Sequence, residues 1–188
     1  MYLEHDKIVI RNATPEDAAQ LCKWWNDGEV MAHAGFPQGL GISEAQVIEK
    51  ILAETDDTTR RHMIVSDGLA VGEMNYRQLD ADTCEIGIKI CEKDRQNRGM
   101  GRVVLSMFID GLFHQRGYKK ILLDTNLNNL RAQHVYELLG FRKLRVNMDS
   151  WKDQLGRTQS SVDYELTEEH FVSYVNQSGN PANQKEKT

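Results

Sequence analysis

The stretch from Cys84 to Arg116 limits this chain more than any other. Cys84–Cys91 alternates like a strand, a polar segment with glycines at 99 and 101 follows, and Val103, Val104, Met107, Phe108 and Leu112 then form one stripe of a long helix stopped by Gly117. A strand that hands a glycine-bearing loop to a helix N-terminus offers unpaired backbone N–H groups at the positive end of the helix dipole. That is a natural seat for a phosphate. A Walker loop would need Lys-Ser/Thr after the last glycine, and a dinucleotide fingerprint a third small residue at 104. Positions 102 and 104 are Arg and Val, so neither fits.

The flanking pattern predicts a mixed α/β domain. Lys7–Ala13 reads as a strand, and Thr14-Pro15-Glu16-Asp17 caps a helix running to Trp25. A Gly/Pro loop spans Ala34–Gly41, and Ser43 caps a second helix to Glu54. His62–Ser66, Ala70–Leu79 and Cys84–Cys91 predict a three-stranded meander turning at Asp67-Gly68 and Asp80–Thr83. Strand Lys119–Asp124, a short helix to Leu139, and strands around Phe141–Met148 and Ser160–Leu166 complete the domain. Its expected extent is residues 1–175, and the polar segment 176–188 reads as a disordered tail.

With 23 basic and 28 acidic side chains the net charge is −5, which argues against nucleic acid and is compatible with cationic partners or with solubility alone. No segment approaches a membrane span, and the N-terminus lacks a basic patch followed by an apolar run. Cys22, Cys84 and Cys91 form no C-x-x-C pair, so buried thiols in a reducing, cytoplasmic setting are expected. The histidines show no metal-ligand spacing, and no metal is expected.

A second motif follows the first: Asn129, Ala132, Tyr136, Gly140 and Phe141 spell N-x-x-A-x-x-x-Y-x-x-x-G-F. Together with Q-x-x-G-x-G at Gln96–Gly101 it resembles the GNAT superfamily of acyl-coenzyme A-dependent N-acetyltransferases. Trp24-Trp25-Asn26-Asp27 and Trp151-x-Asp153-x-x-Gly156 look more like its RimJ/RimL branch.

The resemblance implies a GNAT acyltransferase fold: a mostly antiparallel twisted sheet of six to seven strands, about four helices, and a splayed fourth and fifth strand. It also implies transfer of an acetyl group from acetyl-coenzyme A to a primary amine by direct attack through a tetrahedral intermediate. The pantetheine arm would lie against Ile88, Lys89 and Ile90, with the Lys89 N–H stabilising the oxyanion. The diphosphate would meet Gln96, Asn97, Arg98, Gly99, Met100, Gly101 and Arg102, and Asn129 and Arg131 complete the coenzyme set. Tyr136 matches the family's general acid, and a half-buried aromatic on an amphipathic helix is the bland alternative. Glu85 looks like the family's base, with Glu73 or a water chain as alternatives.

The acceptor pocket would draw on Trp25, Asp27, Phe36 and Glu73, although one tryptophan of the Trp24-Trp25 pair is expected simply to anchor its helix. Protein N-termini, polyamines, aminoglycosides and amino-acid-like metabolites all remain open as acceptors. A homodimer is open too, and the competing reading is a coenzyme A sensor or scaffold without turnover.

Overall fold

The computed structural model describes residues 1–96 and 99–175. Eight strands form one sheet: β1 (Tyr2–His5), β2 (Ile8–Asn12), β3 (Thr59–Ser66), β4 (Leu69–Gln78), β5 (Thr83–Ile90), β6 (Lys120–Asn126), β7 (Arg142–Lys152) and β8 (Thr158–Thr167). Their order is β1-β2-β3-β4-β5-β6-β8-β7, antiparallel except for β5 beside β6. The helices among the described residues are α1 (Ala18–Trp25), α2 (Gly28–Met31), α3 (Glu44–Ala53), α4 (Met100–His114) and α5 (Leu130–Leu138).

The sheet therefore has eight strands where six to seven were expected, and five helices where about four were. The added strand is β1, joined to β2 by a turn in which Asp6 takes φ 51°, a left-handed conformation Asp tolerates, so no glycine marks the turn in the sequence. The added helix is α2, a single turn whose first N–H groups are capped by the Asp27 carboxylate. The expected tail at 176–188 lies outside the described residues.

Two cores sandwich the sheet. On one face, Leu21, Trp24 and Trp25 of α1 and Val47 and Ile51 of α3 pack with Met63 and Cys91. On the other, α4 buries Val104, Leu105, Phe108, Ile109 and Leu112 against Ile10, Ile64, Met74, Tyr76 and Ile86. Cys84 joins this second core, so the two thiols lie in cores on opposite faces, as strand alternation predicts.

His62 sits wholly inside the second core, its ring 5.0 Å from Phe108 and 5.9 Å from Tyr76, and neither ring nitrogen has a hydrogen-bond partner among the described residues. Burial lowers its pKa to about 3. The unfolded chain, with an ordinary imidazole near 6.5, therefore takes up this proton first. Stability is complete above pH 6.5 and falls as the pH drops from there toward 3. At pH 4 the loss from this residue reaches about 3 kcal/mol. Denaturant titrations of His62→Leu should show a flatter dependence over this interval, and an unchanged slope would rule His62 out as its source.

Candidate active site

The parallel pairing of β5 and β6 stops early. Thr83, Cys84 and Glu85 pair with Lys120, Ile121 and Leu122, and beyond them Ile86–Ile90 and Leu123–Asn126 run on without facing each other. A wedge-shaped gap opens there in the middle of the sheet.

The opposite edge of β5 shows which groups line it. Leu79 N–H donates to Thr83 O and Cys91 N–H to Val71 O, each at 2.9 Å, so both ends of the β4–β5 ladder place the odd-numbered residues in the hydrogen-bonded pairs. Alternation then turns the N–H and C=O groups of Ile86, Ile88 and Ile90 toward the gap. The Lys89 N–H points into β4 instead. This corrects the expected oxyanion donor, because the even-numbered isoleucines carry the amides that face an added chain. Lys89 contributes its side chain to the sheet face, 3.2 Å from Glu73.

At the end of β5 the Gln96 amide donates to Ile90 O at 2.8 Å and accepts from Arg131 at 3.1 Å, joining β5 to the first turn of α5. Gly99 has φ +76°, a left-handed turn that a side chain would strain, and leads directly into α4. A Cβ at Gly101 would meet nothing within 4 Å, which leaves room for a ligand over the first turn, where Met100 stands. These residues fit a diphosphate. Arg102 leans over the Tyr174 ring at 5.1 Å. Asn97 and Arg98 lie outside the described residues. Asn129 caps α5 by accepting from Ala132 N–H, and its amide donates to Thr125 at 3.4 Å.

Tyr136 approaches the gap from the α4–α5 side. Its ring packs edge-on against Phe141 and Tyr164 at 5.8 Å, only 7% of it is exposed, and its hydroxyl has no hydrogen-bond partner among the described residues. Burial, helped by the negative charge of Asp124, pushes the phenol up to about 12, so it holds its proton at neutral pH.

The two expected carboxylates stand differently. Glu85 lies on the last paired rung and is bound by Arg77, with Nε at 3.1 Å. Glu73 is 2% exposed and accepts from Trp25 Nε1 at 2.8 Å, from Arg61 and from Lys89. Burial alone would raise its carboxyl, but Lys89 and Arg61 outweigh burial and hold it below the usual range. Fully engaged and ionised, Glu73 neither lines an open pocket nor has a free oxygen edge for an incoming amine.

A family model described as Acetyltransferase (GNAT) domain matches residues 7–142. The chain belongs to this family. It is 22% identical over 152 residues to aminoglycoside N(6')-acetyltransferase type 1 of Klebsiella pneumoniae, covering 74% of this chain and 76% of that protein. An uncharacterized protein of Methanocaldococcus jannaschii is 27% identical over 156 residues, 78% of this chain but 30% of the relative. The chain thus spans about a third of that relative's length. Among solved structures, RimL, a ribosomal-protein alpha-N-acetyltransferase in complex with coenzyme A, superposes with a TM-score of 0.79 at 11% identity, covering 89% of this chain and 98% of that one. At that identity the likeness is one of fold.

In this GNAT domain the α1–α3 face is the open side of the gap. The 3-10 turn Ala32–Ala34 lies over β6, and the loop after it is held by the tip of the β7–β8 hairpin. Gln154 N–H donates to Gly35 O at 2.8 Å, its side-chain amide to Gly39 O at 2.9 Å, and its side-chain oxygen accepts from Gln38 N–H at 2.9 Å. A Cβ at Gly35 would come within 2.6 Å of the Trp151 ring, so this contact demands glycine. Phe36, 38% exposed, belongs to this roof. Trp25 does not: it is buried under Arg61, whose guanidinium stands 4.5 Å from the ring. Asp27 caps α2 and borders a separate cavity of about 360 Å³ between α1 and the segment after β5, lined in part by Trp24, Glu92 and Lys93.

One residue escaped the sequence reading. Asp124 on β6 lies just past the last β5–β6 rung and shares its face with Glu85 and Asp163. Solvent reaches it, yet crowding by neighbouring protein atoms raises its carboxyl, and the charges of Glu85 and Asp163 add to this. No motif contains it; the available signal was an acid ending a strand of otherwise apolar character.

Proposed function

We propose that this domain transfers an acetyl group from acetyl-coenzyme A to a primary amine, as a single GNAT domain of the RimJ/RimL-like branch. The observation that carries the reading is the gap itself: unpaired strand edges in mid-sheet, an unpartnered phenol on one side and an open polar face on the other. Acetyl-coenzyme A supplies an acyl group already activated as a thioester. The Ile86–Ile90 edge would hold the pantetheine as an added strand, with Gln96, Arg131 and Asn129 at its entrance. The loop through Gly99 and Gly101 would seat the diphosphate on the α4 N-terminus. A gap-facing amide such as that of Ile88 would stabilise charge on the carbonyl oxygen, and Tyr136 would protonate the departing sulfur.

A coenzyme sensor would need no unpartnered tyrosine at the reacting end, which favours the enzyme. The Trp24-Trp25 and Trp151 segments support the branch. A small amine or a peptide N-terminus is the proposed acceptor, and the free cysteines suit a cytoplasmic setting.

The test is thiol release from acetyl-coenzyme A against polyamines, aminoglycosides, amino acids and short peptides, with calorimetric coenzyme binding on the same sample. Turnover on one amine class is expected. Absence of coenzyme binding would overturn the reading, and tight binding without turnover would leave the sensor. Glu85→Gln should cost less than about tenfold in kcat/KM, because Arg77 already matches that carboxylate; a loss beyond a hundredfold would restore Glu85 as the base.

A further inference from the structure

Across the open face, charges cancel rung by rung. Glu73 meets Lys89 and Arg61, Glu85 meets Arg77, Asp163 meets Arg145 at 2.8 Å, and Glu165 meets Arg142. The register places all of these on one face of β3, β4, β5, β6, β8 and β7, and Asp124 lies among them opposite Asp163. Asp124 alone of these carboxylates has no ion pair and no hydrogen bond to another residue among the described residues.

Its position is as telling as its charge. Asp124 follows the last β5–β6 rung, where the sheet has no backbone across the gap, and Tyr136 stands on the opposite face. After burial, the negative charge of Asp124 is the other influence that raises the Tyr136 phenol. Where β5 and β6 part, Asp124 thus puts an unpaired carboxylate on the open face, and Tyr136, a residue only 7% exposed, puts a hydroxyl without a partner among the described residues on the other.

We infer that Asp124 receives the acceptor's ammonium and takes its proton, and that the acceptor carries a single positive charge near the reacting nitrogen. The inference rests on the acetyl-transfer reading and deepens it. The ammonium gives one proton to Asp124, which passes it to water. The freed lone pair forms the C–N bond, the C–S bond breaks with its electron pair going to sulfur, and the sulfur takes the Tyr136 proton. The new amide nitrogen sheds its extra proton to water and the phenol regains one from solvent, leaving one proton released overall.

Each further ammonium of a polyamine or aminoglycoside gains from a complementary charge, and on this face Glu85 and Asp163 are already matched by Arg77 and Arg145. Among the described residues around the roof, Asp27 caps α2, Glu29 pairs with Lys93, Asp153 accepts from Leu155, Arg157 and Gln159, and Asp149 of β7 is an exposed acid with no partner for its carboxylate, while His33 is the titratable group over β6. A peptide α-amine with neutral side chains fits this single charge.

The experiment compares the full chain with Asp124→Asn, Asp124→Glu and Arg145→Ala, using Ala-Ala-amide and spermidine as acceptors. Asp124→Asn should lose about 10²-fold in kcat/KM for Ala-Ala-amide and the acid limb of its pH profile. Coenzyme Kd should stay within about twofold, with a Tm at or above wild type, since the native surroundings disfavour this charge. Asp124→Glu should recover part of the rate. Arg145→Ala exposes a second carboxylate and should shift preference toward spermidine about fivefold. Wild-type turnover left intact in Asp124→Asn would overturn the inference alone, as would a wild-type preference for spermidine beyond about tenfold. A wild type that transfers to no amine would overturn the acetyl-transfer reading and this inference with it.

Discussion

Tyr136→Phe is expected to lower turnover on a working amine by about 10²-fold while leaving coenzyme affinity within about twofold. The substitution removes one oxygen whose hydroxyl has no protein partner among the described residues, so the fold loses no hydrogen bond that it counted on. The ring contacts with Phe141 and Tyr164 persist in the phenylalanine, and the thermal midpoint should hold. A phenol held near 12 is a reluctant general base and an available general acid at neutral pH. Its role is to supply the proton that the leaving thiolate needs at the moment the C–S bond breaks. Stopped-flow thiol release with calorimetric coenzyme binding separates the two effects. Full turnover in the variant would discard the assignment.

The largest stability effect is expected at Glu73. Glu73→Ala leaves Arg61 and Lys89 without their shared counter-charge and the Trp25 N–H without its acceptor, beneath α1. Removing one member of a buried ion cluster costs roughly 3–5 kcal/mol, and Arg61 retains Glu54 at 3.4 Å, which favours the lower figure. For a chain of this length that is a fall in Tm of about 10 °C, readable by calorimetry. Because the folded carboxyl titrates below its ordinary range, its contribution is present above the unfolded value and disappears as the pH falls through the folded one. A Tm within about 3 °C of wild type together with lost turnover would reverse the reading and return Glu73 to the chemistry.

The two motifs were legible because their chemistry is local. The glycines at 99 and 101 stand beside the helix they start, and Asn129, Tyr136 and Gly140 share one helix and its ends, so spacing alone keeps them together. The meander β3–β4–β5 was legible for the same reason, with Asp67-Gly68 in left-handed conformations marking its first turn. β1 and α2 were not, because an aspartate stands where a glycine would have signalled the turn and a single helical turn carries no periodicity.

By itself the sequence determined the layered α/β domain, the glycine loop at the α4 N-terminus and the tyrosine four residues ahead of Gly140. Only the tertiary structure decided which carboxylate is free. Glu73, Glu85, Asp124 and Asp163 are alike as residues, and the difference lies in the cation each meets across a strand: Lys89 and Arg61, Arg77, none among the described residues, and Arg145. Those partners come from segments far apart along the chain, brought into register by backbone pairing that no local pattern encodes. The strand amide that faces the gap was likewise a matter of register. A shift of one residue turns each N–H from one neighbour to the other, and only the paired ends of β4 and β5 fixed it.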